Sequence, residues 1–175
     1  MRKVTFLFVL FLFVSCEETR PRRPLNLKGD AFMSTSAQRN KNLLKKEEQL
    51  LKSIASRDSL LNFESSESGF LFAYKKQNSQ KNAFPKKGEL VRFQYQIEDL
   101  EQNIIYSFEE LGPVTYAIDQ EDLLPALREG LRLLKPDDVV VFLFPSYLCY
   151  SYQGDGQKIG INQPLRFTIE RLPIN

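Results

Sequence analysis

Among the residues able to do polar chemistry, histidine is missing altogether. Without an imidazole the chain lacks the usual general base at neutral pH, and with it the serine, cysteine and metal chemistries that depend on one. Two cysteines, Cys16 and Cys149, are too few for a disulfide framework. Cys149 lies between Leu148 and Tyr150, where a lone thiol behaves as a small hydrophobe. Asp137 and Asp138 follow Pro136 and read as a solvated turn, not as paired catalytic carboxylates. What remains is aromatic. Tyr147, Tyr150 and Tyr152 crowd one loop, while Tyr95 and Phe167 fall at alternating positions of two strand-like stretches. Phenols can line an apolar site and donate a hydrogen bond at its edge, or simply pack a loop as amphipathic fillers. No cofactor and no metal are expected.

The chain has 175 residues, the length of one domain with extensions, and 42% of them are apolar. Fourteen Phe and seven Tyr supply large buried surfaces in the absence of Trp. The net charge is +2, and the basic residues cluster towards the N-terminus at Arg20, Arg22, Arg23, Lys41, Lys45 and Lys46. They suit lipid headgroups or solvent, and no nucleic-acid partner is expected.

Arg2 and Lys3 precede an apolar run over residues 4–14. That is too short to span a bilayer as a helix and fits the core of an export signal. Ser15, Cys16, Glu17 and Glu18 follow, an abrupt switch that resembles a bacterial lipoprotein cleavage site, with Phe13 where such sites usually carry Leu. The resemblance implies that residues 1–15 are a signal peptide and that Cys16 becomes the lipidated first residue. The expected location is the cell envelope, at the outer membrane facing the periplasm. An ordinary signal peptide with an incidental cysteine is the alternative.

The elements that must position the aromatics come next. Residues 16–33 carry two prolines and no periodicity and read as a tether. Over 34–62, Leu43, Leu44, Leu50, Leu51, Ile54, Leu60 and Leu61 recur at helical spacing and predict one or two amphipathic helices, packed on their own domain or on another copy. Residues 63–85 hold a lead-in strand, 69–74, and a turn. Beyond Gly88 the pattern shortens to a hairpin (89–100 and 104–107), a strand over 114–118 and a continuous apolar strand over 139–144. A short helix lies between the last two, capped within 119–122, stopped by Pro136, with Leu123, Leu124, Leu127, Leu131 and Leu134 on one face. A long loop, 145–163, leads to a cleanly alternating last strand, 165–172. Strands around one short helix without βαβ repetition give an α+β domain with an antiparallel sheet.

That order, with Lys87-Gly88-Glu89-Leu90-Val91-Arg92-Phe93-Gln94-Tyr95, Leu124-Pro125-Ala126-Leu127-Arg128-Glu129-Gly130-Leu131, Phe144-Pro145-Ser146-Tyr147-Leu148-Cys149-Tyr150 and Leu165-Arg166-Phe167, resembles the FKBP-type peptidyl-prolyl cis-trans isomerase domain. With the signal, the helical spacer and Gly69-Phe70, the whole chain is similar to the gliding motility-associated FKBP-type lipoproteins. The resemblance implies an FKBP-like sheet wrapped around a short helix over 86–175. It also implies a proline pocket in which Tyr150, Tyr95 and Phe167 are catalytic and Ile105, Tyr106, Val114, Leu123, Leu124, Leu127 and Ile159 bind substrate. The implied partners are X-Pro segments of exported proteins, the bilayer and a motility or secretion apparatus. Three positions depart from the family: Tyr106 replaces a carboxylate, Leu127 a Trp and Ser151 a Gly. They keep a second reading open, a proline-binding or scaffold module on the same fold.

Overall fold

The computed structural model describes residues 27–79 and 84–174. The export signal, Cys16 and the first part of the expected tether lie outside the described residues. The chain divides into two units, Met1–Gln38 and Arg39–Asn175, and the sheet and the candidate site belong to the second.

The first element is a single helix, α1 (Leu27–Arg57). It begins inside the stretch read as a tether, because no proline intervenes between Pro24 and Pro85. It also ends before residue 62. The Asp58 carboxylate accepts the N–H groups of Leu60 (3.0 Å) and Leu61 (3.2 Å), offering the backbone an alternative to another helical turn. Leu60 is consequently exposed rather than on the apolar stripe. Among the described residues no helix is long and apolar enough to cross a membrane.

The strands are β1 (Glu64–Ser65), β2 (Leu71–Lys76), β3 (Leu90–Glu98), β4 (Ile104–Tyr106), β5 (Val114–Ala117), β6 (Val139–Phe144) and β7 (Leu165–Leu172). They form one antiparallel sheet in the order β1-β2-β6-β7-β3-β4, with β5 also paired to β3. The helices α2 (Phe108–Leu111) and α3 (Pro125–Leu131) follow β4 and β5. The lead-in strand is therefore an inner strand of the domain, hydrogen-bonded along β6, and the folded unit starts well before residue 86.

Strand alternation sends Val91, Phe93, Ile97, Val140, Phe142, Phe144, Leu165, Phe167 and Ile169 to one face, where α3 adds Ala126, Leu127 and Leu131. The other face carries Leu71 and Leu143 and is covered by Leu51, Ile54 and Ala55 of α1. Of the leucine stripe, Leu51 and Ile54 thus pack on their own domain, while Leu44, Leu50 and Leu60 stay exposed. Both faces being covered, β7 is buried nearly throughout instead of alternating between core and solvent. Its Arg166 meets Asp58 (3.5 Å) and lies 3.3 Å from Glu98, its Nε out of line for a hydrogen bond.

Two further expectations change. Helix α3 starts at Pro125, with Leu124 as its uncapped first flank, and ends at Leu131, ahead of Pro136. Leu123 and Leu124 precede the helix, and Asp119 pairs with Arg132 (2.7 Å) instead of capping it. Proline at the first helical position needs no N–H there, so the helix starts without a polar cap. Asp138 is not a solvated turn residue but 1% exposed, accepting the N–H groups of Asn78 (2.6 Å) and Lys135 (2.7 Å).

Candidate active site

On the α3 face of the sheet the aromatic side chains form a continuous ladder across three strands and the residue that leads into a fourth. Tyr95 of β3 stacks on Phe167 of β7 (centroids 6.1 Å apart, planes 19° apart). Phe144 of β6 meets Phe167 edge-on at 5.4 Å and stacks on Phe142 at 5.1 Å. Phe70, just before β2, packs on Phe144 at 5.0 Å and on Phe142 at 5.8 Å. Such pairs contribute about 0.5–1.5 kcal/mol each beyond the area they bury. The ladder fixes Tyr95 from beneath while leaving its outer part accessible.

All ten residues singled out from the sequence belong to this one apolar cluster. Phe167, Leu127 and Ile159 are buried within it, and Tyr95, Ile105, Tyr106, Val114, Leu123, Leu124 and Tyr150 remain half-buried. Half-burial separates residues able to touch a ligand from those that only support them. A cavity of about 530 Å³ opens elsewhere on the Tyr150 loop, against Leu43 and Leu44 of α1, and none of the ten lines it.

Tyr150 follows the 3₁₀ turn Ser146–Leu148, which carries the chain out of β6. That turn is fixed by a residue the sequence does not advertise. The Glu47 carboxylate of α1, itself 4% exposed, accepts the Ser146 N–H (2.9 Å) and hydroxyl (2.7 Å). The Ser146 carbonyl in turn accepts the N–H groups of Cys149 (3.0 Å) and Ser151 (2.9 Å), on either side of Tyr150.

Two of the three phenols at the site are unengaged. Among the described residues, no group accepts a hydrogen bond from the hydroxyls of Tyr95 or Tyr150. Burial pushes the Tyr95 phenol above its ordinary pKa. Burial, with the neighbouring Tyr95 and Asp155, pushes Tyr150 up to about 12. Both are therefore neutral donors through the physiological range. The third phenol, Tyr106, donates to Asp155, and that bond, with burial, raises it too. For Asp155, burial acts to raise the carboxyl, but hydrogen bonds from Tyr106 and from the backbone of Gln157, Ile159 and Lys158 prevail and hold it at about 2. Cys149 is buried and its thiol is shifted upwards, chiefly by burial, so it stays protonated. Asp155 was not visible as a site residue, and only its place between Gly154 and Gly156, both at positive φ, hinted at a structured turn.

An antiparallel sheet packed on a short helix thus carries half-buried phenols over an aromatic floor. A family model described as FKBP-type peptidyl-prolyl cis-trans isomerase matches residues 81–172, and the chain belongs to that family. It is 32% identical over 130 residues to the probable FKBP-type peptidyl-prolyl cis-trans isomerase FkpA of Neisseria meningitidis serogroup B, an alignment covering 74% of this chain and 45% of that protein. The chain thus spans about half the length of this curated relative. A peptidyl-prolyl cis-trans isomerase from Pseudomonas syringae pv. tomato superposes with a TM-score of 0.59 at 18% identity, over 76% of this chain and 93% of that one. FkpA from Escherichia coli gives a TM-score of 0.59 at 18% identity, over 99% of this chain and 81% of that one. These two structural likenesses carry the fold alone.

Proposed function

We propose that the chain catalyses cis–trans isomerisation of X-Pro bonds in exported polypeptides. The observation that carries this reading is the pair of unengaged phenols, Tyr95 and Tyr150, beside buried Phe167 in a chain of the isomerase family. Rotation about such a bond faces a barrier of roughly 18–20 kcal/mol, because twisting the amide breaks its resonance. The planar amide is the more polar form, so an apolar surface destabilises it more than the twisted one. Only that difference accelerates the step. The Tyr150 hydroxyl adds a hydrogen bond to the carbonyl oxygen as it turns out of plane. No proton is transferred, which suits a chain without histidine.

The test is cis-to-trans conversion of an X-Pro peptide, and refolding of a proline-limited protein, with the full chain. Removing one neutral donor with Tyr150→Phe should lower kcat/KM about threefold to tenfold. The rate should be flat from pH 6 to 8. Tyr95 and Tyr106 titrate above the ordinary tyrosine value and Tyr150 at about 12, and Asp155 is ionised down to about 2. The contribution of Asp155 to stability is complete above its ordinary carboxyl value and is lost as pH falls towards about 2. A steep titration near neutrality, or no acceleration over the spontaneous rate, would contradict the proposal.

The second reading is a proline-binding scaffold without useful turnover. It is favoured by Leu127, which lies under the surface at 2% exposure, and by Tyr106, whose proton is already committed to Asp155. Peptide binding without turnover would establish it.

The export signal and Cys16 support a lipid-anchored protein at the outer membrane facing the periplasm, serving a gliding-motility or secretion apparatus. Each buried acyl methylene contributes about 0.8 kcal/mol, so several chains hold the protein at the membrane. Cys16→Ser should move it from the membrane to the soluble fraction, and unchanged partitioning would remove the anchor from the proposal.

A further inference from the structure

Tyr106 ends β4 with its ring against the aromatic cluster, and it is clamped at both ends. Its hydroxyl donates to Asp155 Oδ2. Over its ring stands Lys158 Nζ, 4.4 Å from the centroid and held by Glu110 (2.6 Å) and the Ile105 carbonyl (3.1 Å). Asp155 is equally fixed. Its Oδ1 accepts the N–H groups of Gln157 and Ile159, both at 2.8 Å, and its own N–H donates to the Ile159 carbonyl at 3.2 Å. The turn is closed so tightly that a Cβ at Gly154, whose φ is +67°, would stand 2.5 Å from that carbonyl oxygen.

A phenol has one proton and two lone pairs. With the proton committed to a carboxylate, the Tyr106 oxygen can only accept, and the neighbouring negative charge makes it a better acceptor. Tyr95 and Tyr150 keep their protons for a ligand. The site therefore offers two donors and one acceptor, the complement of a peptide backbone with its carbonyls and its N–H.

We propose that Asp155 is a positioning residue that makes Tyr106 the acceptor for a backbone N–H flanking the prolyl bond, so that the pocket selects chains carrying that N–H. The proposal rests on the reading of the cluster as a proline site. It is tested with the full chain and three X-Pro peptides: the ordinary amide, and two in which an ester oxygen replaces the N–H of the residue before or after proline. One of the esters should show KM raised about tenfold, the effect of one hydrogen bond, with kcat changed less than about twofold. In Tyr106→Phe that discrimination should vanish. In Asp155→Asn it should vanish too, because the amide oxygen still takes both backbone N–H groups while its nitrogen donates to Tyr106 and frees the phenol proton. A merely structural Asp155 would leave the amide-to-ester ratio unchanged in a variant that still melts as the wild type does. Wild-type turnover that ignores both esters, or discrimination that survives in either variant, overturns the proposal and leaves the isomerase reading standing. A wild-type chain that neither binds nor converts any of the peptides overturns both.

Discussion

Phe167→Ala should cost about 3–5 kcal/mol of stability and abolish catalysis even in the molecules that remain folded. Phe167 is fully buried at the crossing of three strands, opposite Ile97 of β3 and Phe142 of β6. Its ring is the surface on which Tyr95 stacks and against which Phe144 sets its edge. Truncation leaves a cavity that the rigid sheet backbone cannot close, and the loss of transfer energy adds to the cavity term. Each kcal/mol lowers the melting midpoint of a chain this long by about 2–4 °C, which thermal unfolding reads directly. Phe167→Leu separates stability from function. It keeps much of the apolar volume but removes the flat face under Tyr95, so it should melt nearer the wild type while its kcat/KM falls further than its stability. Catalysis that tracks only the folded fraction would show that Phe167 is ordinary core.

Glu47→Ala should lower stability by about 1.5–3 kcal/mol and weaken catalysis from a position outside the aromatic cluster. The substitution strands the N–H and hydroxyl of Ser146, a residue 2% exposed, without an acceptor or access to water. The turn they anchor presents Tyr150, so the phenol loses its fixed aim as well. Glu47→Gln retains one acceptor oxygen and should recover part of both losses. Ser146→Ala removes only the hydroxyl bond and should cost less than Glu47→Ala. If Glu47→Ala and Ser146→Ala combine additively in a double-mutant cycle, the two residues do not act as a unit and the staple is not what holds the loop.

The elements that could be read along the chain are those whose cause is local. Period-two alternation through Phe93, Tyr95 and Ile97 marks β3, and polar Glu101, Gln102 and Asn103 mark its turn into β4, where Asp99 accepts the Asn103 N–H at 2.8 Å. The apolar run 139–144 marks a strand buried on both sides, and the order of these pieces placed Tyr95, Tyr150 and Phe167 in one cluster. Boundaries set by competition were misread. Whether a helix stops at Arg57 or at residue 62 depends on where the Asp58 side chain finds its donors, and whether Asp119 caps or pairs depends on Arg132.

The sequence by itself determined where the longer strands lie along the chain, its aromatic richness and the exclusion of imidazole chemistry, because side-chain periodicity and composition act over a few residues or over none. Only the tertiary structure decided that α1 covers the back of the sheet, that Glu47 holds Ser146 across 99 positions and that Asp155 holds Tyr106 across 49. A carboxylate accepts from any donor that packing brings within reach. Its partner is chosen by the path of the chain between them, and no local spacing records that choice.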